Sequence, residues 1–181
     1  MKVHTDNIFP IIKKFLYSDH EIFLRELISN AVDATNKLKT LSNLGEFSGE
    51  LGDLSIHVDV DKKKKTVTIR DRGIGMTSDE VNKYINDVAF SGATEFVNKY
   101  EGKIDKGAMI GHFGLGFYSS FMVAERVELL TKSAKPNNEA VRWSCDGSPN
   151  FNLTGAERAD AGTDVILHLM EEELEYIEPA R

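Results

Sequence analysis

The chain has 181 residues, and 22 Lys plus Arg against 29 Asp plus Glu give it a formal charge of −7. That length fits one domain, and 41% hydrophobic with 28% charged residues excludes bulk disorder. The acidic balance argues against a general nucleic-acid binder, and the lone Cys145 rules out an intrachain disulfide or a cysteine-rich zinc site. Neither a membrane-length apolar run nor a signal-peptide core is seen, so a reduced, soluble, cytoplasmic domain is expected.

Residues 8–17 carry Ile8, Ile11, Ile12, Phe15 and Leu16 at helical spacing. Ser18 followed by Glu21 reads as a capping box opening a second helix that runs to about Leu41. A glycine-containing loop, 43–53, precedes alternating Ile56, Val58 and Val60, a tight turn at 61–65, then Val67 and Ile69. This predicts a β-hairpin whose four-lysine tip is solvated rather than a binding patch. Asp71–Gly75 ends the second strand, and Ser78–Ile85 reads as a short capped helix. Residues 86–110 show no long period, and a loop of that length in a compact domain is more often functional than idle. Gly111–Gly116 leads into an apolar helix, Phe117 to Ala124, and strands are predicted near 125–132, 140–145, 150–154 and 163–169. The acidic tail, 171–181, stops without a clear ending, so a piece cut from a longer chain is expected. Hairpins following early helices predict an α+β two-layer sandwich, with helices on one face of a mostly antiparallel sheet.

Four motifs are candidates for chemistry. Glu26, Asn30, Asp33 and Lys37 share one stripe of the long helix, while Leu27, Ile28, Ala31, Ala34, Thr35 and Leu38 turn toward the core. The stripe reads either as a solvated face with salt-bridge pairs or as a metal-and-phosphate face. In the second reading the Asn30 carbonyl suits magnesium and Glu26 orients and deprotonates a water. The turn Asp71-Arg72-Gly73-Ile74-Gly75-Met76 offers a carboxylate for an exocyclic amine, glycines for close approach to a flat ring, and a methionine to pack on it, or else is a common strand-ending turn. Gly111-His112-Phe113-Gly114-Leu115-Gly116-Phe117 frees backbone N–H groups toward phosphate before a helix, yet matches neither the Walker A loop nor the dinucleotide fingerprint. Gly162-Thr163-Asp164 opens a strand with alternating Val165, Leu167 and Leu169, and the Thr163 hydroxyl could complete a polar network at the ring.

Taken in order, these motifs resemble the nucleotide site shared by type II topoisomerase ATPase domains, histidine kinases, mismatch-repair ATPases and ninety-kilodalton heat-shock chaperones. The stretches Glu21-Ile22-Phe23-Leu24-Arg25-Glu26-Leu27-Ile28-Ser29-Asn30-Ala31 and Ile110–Ser119 most resemble the heat-shock chaperones, in their bacterial form, and the likeness covers nearly the whole chain. The resemblance implies the Bergerat-type α+β fold, with ATP or ADP and Mg2+ as ligands. It implies Asp71 as anchor of the adenine amine, with Thr163 and ordered water in the same network. Ala34, Met76 and Val165 would line the ring, with Gly75 at close approach and Asn86 near its edge. Asn30 would be the magnesium ligand, Glu26 the general base, and Asp33 and Lys37 the polar rim. Gly111, Gly114, Gly116 and Phe117 would form the phosphate loop, within an ATP lid spanning 86–116.

It further implies an amino-terminal ATPase domain that couples lid closure and dimer clamping to the folding of client proteins, with ansamycin or radicicol-type inhibitors possible in the pocket. Two alternatives stand beside it. One is a related ATPase of DNA topology or mismatch repair, which the negative charge opposes; the other is a nucleotide-binding regulatory module without turnover, which Glu26 opposes. There are departures from the family pattern. Phe90 stands where many relatives have lysine, the lid opening at 86–92 is short, and the strand before Asp6 is abbreviated. The middle domain that supplies an arginine to the γ-phosphate and the carboxy-terminal dimerisation domain are missing, so a weak, monomeric ATPase is expected.

Overall fold

Apolar alternation between Ile56 and Ile69 folds into an antiparallel hairpin, β1 (His57–Asp61) and β2 (Thr66–Asp71). Its turn is closed by the Asp61 carboxylate, which accepts from the N–H groups of Lys63 and Lys64, both at 3.0 Å. The computed structural model describes residues 20–88, 116–148 and 150–179. Four further strands, β3 (Ala124–Lys132), β4 (Ala140–Cys145), β5 (Phe151–Ala156) and β6 (Gly162–Leu169), complete one sheet in the order β1-β2-β6-β3-β4-β5, with all pairings antiparallel. The predicted α+β two-layer architecture is the one observed.

Helix α1 (Ile22–Asn43) lies on the inner face of the sheet because Ile22, Phe23, Leu27, Ala31, Thr35 and Leu38 recur at the helical period and are buried. The core beneath it is built from strand residues pointing the same way: Ile69, Val127, Leu129, Trp143 and Leu167 are each at most 1% exposed. Phe117 meets Trp143 edge-on at 5.5 Å. The outer face is polar, with Arg70, Arg126, Glu128, Arg142, Asp164 and His168 tied together by ion pairs.

Several boundaries differ from those read in the sequence. Helix α1 ends at Asn43, and Glu21 occupies its amino-terminal cap position without a side-chain cap bond; Ser18 and the 8–17 helix lie outside the described residues. Helix α2 is only Ser78–Val81, opened by a complete capping box between Thr77 and Glu80, and it continues as a π-helical turn, Asn82–Val88. The segment after Gly116 is a 3₁₀ helix, Phe117–Met122, and Ala124 already belongs to β3. Every residue of that 3₁₀ helix is buried, so its apolar composition reflects burial on all sides rather than an α-helical stripe. The acidic tail forms another 3₁₀ helix, Glu171–Ile177. The lysine tip is exposed, as predicted, but it also pairs with this tail: Lys62 with Glu178 at 3.0 Å, and Lys65 with Glu171.

Leu167 is fully buried in the central strand, so Leu167→Ala should lower unfolding free energy by about 2–5 kcal/mol, a loss that chemical denaturation would read directly.

Candidate functional site

Between α1, the inner face of the sheet and α2 lies a cavity of about 410 Å³, a size suited to a small-molecule ligand. Of the residues singled out in the sequence, it is lined by Asn30, Asp33, Ala34 and Lys37 from α1, Asp71, Gly75 and Met76 from the turn after β2, Phe117, and Thr163 and Val165 from β6. Three of the four stripe residues, Asn30, Asp33 and Lys37, therefore face the cavity along one edge, and they are bound to no partner among the described residues.

Asp71 forms the floor. It sits at the last position of β2, opposite Thr163 in the register, and is 5% exposed. Its Oδ1 accepts from the Gly73 N–H at 2.8 Å, while Arg158 reaches in from the β5–β6 loop and donates to the Asp71 backbone carbonyl at 2.9 Å. Burial raises the Asp71 carboxyl to about 6, against the smaller opposing pull of the Gly73 N–H and Arg158. Gly75 adopts φ +60°, and a side chain there would collide with the Lys132 carbonyl, so glycine lets the turn fold back against β3. Met76 N–H is held at 3.0 Å by the Thr131 hydroxyl.

Glu26 does not line the cavity. It lies beside Gly116, where a Cβ would come within 2.6 Å of its Oε2, so glycine at 116 leaves room for the carboxylate. Asn86 is also outside the lining. Its Oδ1 accepts from the Trp143 indole at 3.0 Å and its amide donates to Asn82, while the Tyr118 hydroxyl donates to the Ile85 carbonyl at 2.6 Å. These bonds secure the π-helical turn to the core. Gly111, Gly114, Phe90 and most of the 86–116 segment lie outside the described residues.

A model of the histidine kinase-, DNA gyrase B- and HSP90-like ATPases matches residues 17–154. The chain belongs to that family. It is 62% identical over 175 residues to the chaperone protein HtpG of Porphyromonas gingivalis, covering 97% of this chain and 25% of that protein. To HtpG of Bacteroides thetaiotaomicron it is 61% identical over 179 residues, covering 99% and 26%. The chain spans about a quarter of the length of the curated relatives it matches.

Several residues in or behind the cavity escaped the sequence reading. Thr131 is fully buried on β3 opposite Thr163, and nothing but the strand register separates it from an ordinary β-branched core residue. Glu80 and Lys135 form an ion pair at 2.5 Å on the cavity wall. Burial pushes Glu80 up, but hydrogen bonds from Lys135 and Thr77 prevail and hold its carboxyl below the ordinary range. The Thr77–Glu80 capping-box spacing was a signal that could have marked Glu80, whereas its partner is 55 residues away.

The buried carboxyl makes stability pH-dependent. Its folded value, about 6, lies above the ordinary aspartate value of 3.8, so the folded state keeps a proton that the unfolded state has already lost. The associated stability is complete below pH 3.8 and is lost as pH rises to 6, a change on the order of 3 kcal/mol. Urea denaturation of wild type and Asp71→Asn at pH 4.5 and 7.5 should therefore show the variant gaining on wild type at the higher pH. A gap that stays constant between the two pH values would count against this assignment.

Proposed function

We propose that the chain is the nucleotide-binding domain of a chaperone that binds ATP or ADP with Mg2+ and hydrolyses ATP while remodelling client proteins. The observation that carries this reading is the buried Asp71 carboxylate on the floor of a ligand-sized cavity under α1. Asp71 receives the exocyclic amine of adenine, with Thr163 in the same network. Ala34, Met76 and Val165 flank the ring, Gly75 allows the backbone to approach it, and Asp33 and Lys37 border the sugar and phosphates.

Asn30 brings a neutral carbonyl oxygen to the cavity, and among the described residues no cluster of three His, Cys, Asp or Glu could hold an ion. That suits magnesium held by one side chain, waters and phosphate oxygens. When bound, the ion neutralises charge on the transferring phosphoryl group. Glu26, beside Gly116, orients the attacking water and accepts its proton. Gly111, Gly114, Gly116 and Phe117 complete the phosphate loop, and residues 86–116 act as a lid.

Lys37 and Lys135 line the cavity, and among the described residues no arginine does. A positioned arginine is worth roughly 10³–10⁵ in phosphoryl transfer, so the 181-residue chain is proposed to be a slow, monomeric ATPase, whereas the whole protein acts as a cytoplasmic homodimer. The pocket would also accept ansamycin or radicicol-type inhibitors. Similarity to HtpG chaperones and the acidic charge favour this reading over a DNA-directed relative.

Two variants test it by isothermal titration and a hydrolysis assay. In Asp71→Asn the Gly73 N–H keeps the side-chain oxygen, so the amide nitrogen faces the ring and sets donor against donor. ADP affinity should fall by about a hundredfold or more. Glu26→Ala should bind ADP normally but lose about 10²–10⁴ in turnover. Unchanged ADP affinity in Asp71→Asn would remove the base anchor, and wild-type turnover in Glu26→Ala would return that residue to a solvated helix face.

A further inference from the structure

Three contacts converge on the hydroxyl of Thr131, which is fully buried and does not itself line the cavity. Met76 N–H lies at 3.0 Å, the Gly162 carbonyl at 3.1 Å and the Thr163 hydroxyl at 2.9 Å. A hydroxyl has one hydrogen and two lone pairs. Met76 N–H can only donate, so it occupies one lone pair. The Gly162 carbonyl can only accept, so it takes the hydrogen. The remaining lone pair must then receive the hydrogen of Thr163. Thr163 lines the cavity directly opposite Asp71 in the sheet, and it is left with lone pairs alone to present.

We infer that Thr131 is a positioning residue for base specificity. By taking the Thr163 hydrogen, it leaves a cavity floor of acceptors only, the Asp71 carboxylate and Thr163 Oγ1, which selects a 6-amino purine over a 6-oxo purine. The inference rests on the reading of Asp71 as base anchor. An amine brings two N–H groups to two adjacent acceptors. A 6-oxo group instead brings a lone pair against them, and the one hydroxyl that could turn to meet it is already committed.

The test is titration of ADP and inosine diphosphate, each with magnesium, into the 181-residue chain and its variants. Wild type should prefer ADP by about a hundredfold or more. Thr131→Val frees the Thr163 O–H to turn toward the cavity, and should narrow the preference by about tenfold, mainly through tighter binding of inosine diphosphate. Thr131→Ser keeps a hydroxyl in place and should retain the wild-type ratio. An unchanged ratio in folded Thr131→Val, or an equal narrowing in Thr131→Ser, overturns the inference. If Thr131→Val does not fold, Thr163→Val decides: selective weakening of ADP supports it, and equal weakening of both nucleotides overturns it. Asp71→Asn keeps the two readings apart. Undiminished ADP binding there overturns the base anchor itself, whereas lost binding with an unchanged ratio in Thr131→Val overturns the role of Thr131 alone.

Discussion

Asp71, Thr163 and Thr131 stand side by side on β2, β6 and β3, and the cost of holding a carboxylate in that row constrains everything around it. A buried carboxylate is tolerated only where donors reach it, and here the Gly73 N–H does so from the turn that Asp71 itself begins. Arg158, itself largely buried, secures the same turn through the Asp71 backbone carbonyl and pairs with Asp164 at 3.2 Å. The arrangement fixes the position of the carboxyl while leaving its ionisation unfavourable. A carboxyl perturbed by burial on the floor of a cavity is a pattern more common at binding sites than at purely structural positions.

The second wall of the site follows from the geometry of α1. Its core stripe sets the rotation of the helix, and that rotation brings Asn30, Asp33, Ala34 and Lys37 to the cavity edge while leaving Glu26 a turn away beside Gly116. One helix thus spans from the cavity to Gly116. The geometry keeps the two carboxyl groups in separate surroundings, Asp71 on the cavity floor and Glu26 beside Gly116.

Patterns local in the chain were legible before the structure. The hairpin, the four later strands and α1 were all read from alternation or helical period, because burial on one face imposes those periods directly. The Asp71 turn and Thr163 were readable as chemical groups, and the resemblance joined them into one site. What the sequence hid depends on contacts between distant segments. Thr131 looks like any buried strand threonine until its register against Thr163 is known. Lys135 joins Glu80 from across the cavity, and the lysine tip meets an acidic helix more than a hundred residues later. The short buried stretch 117–122 gave no periodic signal to separate a 3₁₀ helix from an α-helix, since all its residues are covered.

The strand order has a consequence for how the chain is made. β6, the last of the described strands in chain order, occupies an inner position between β2 and β3. Until it emerges, the early hairpin and the β3–β4–β5 meander have no direct strand pairing with each other, and each presents an open edge where β6 will dock. The Asp71 side of the cavity cannot form during that interval, because Thr163 and Val165 arrive with the same strand. Closure of the sheet and completion of the floor are therefore a single event, and a nascent chain stalled before residue 162 would carry two unpaired β-edges and an incomplete cavity floor.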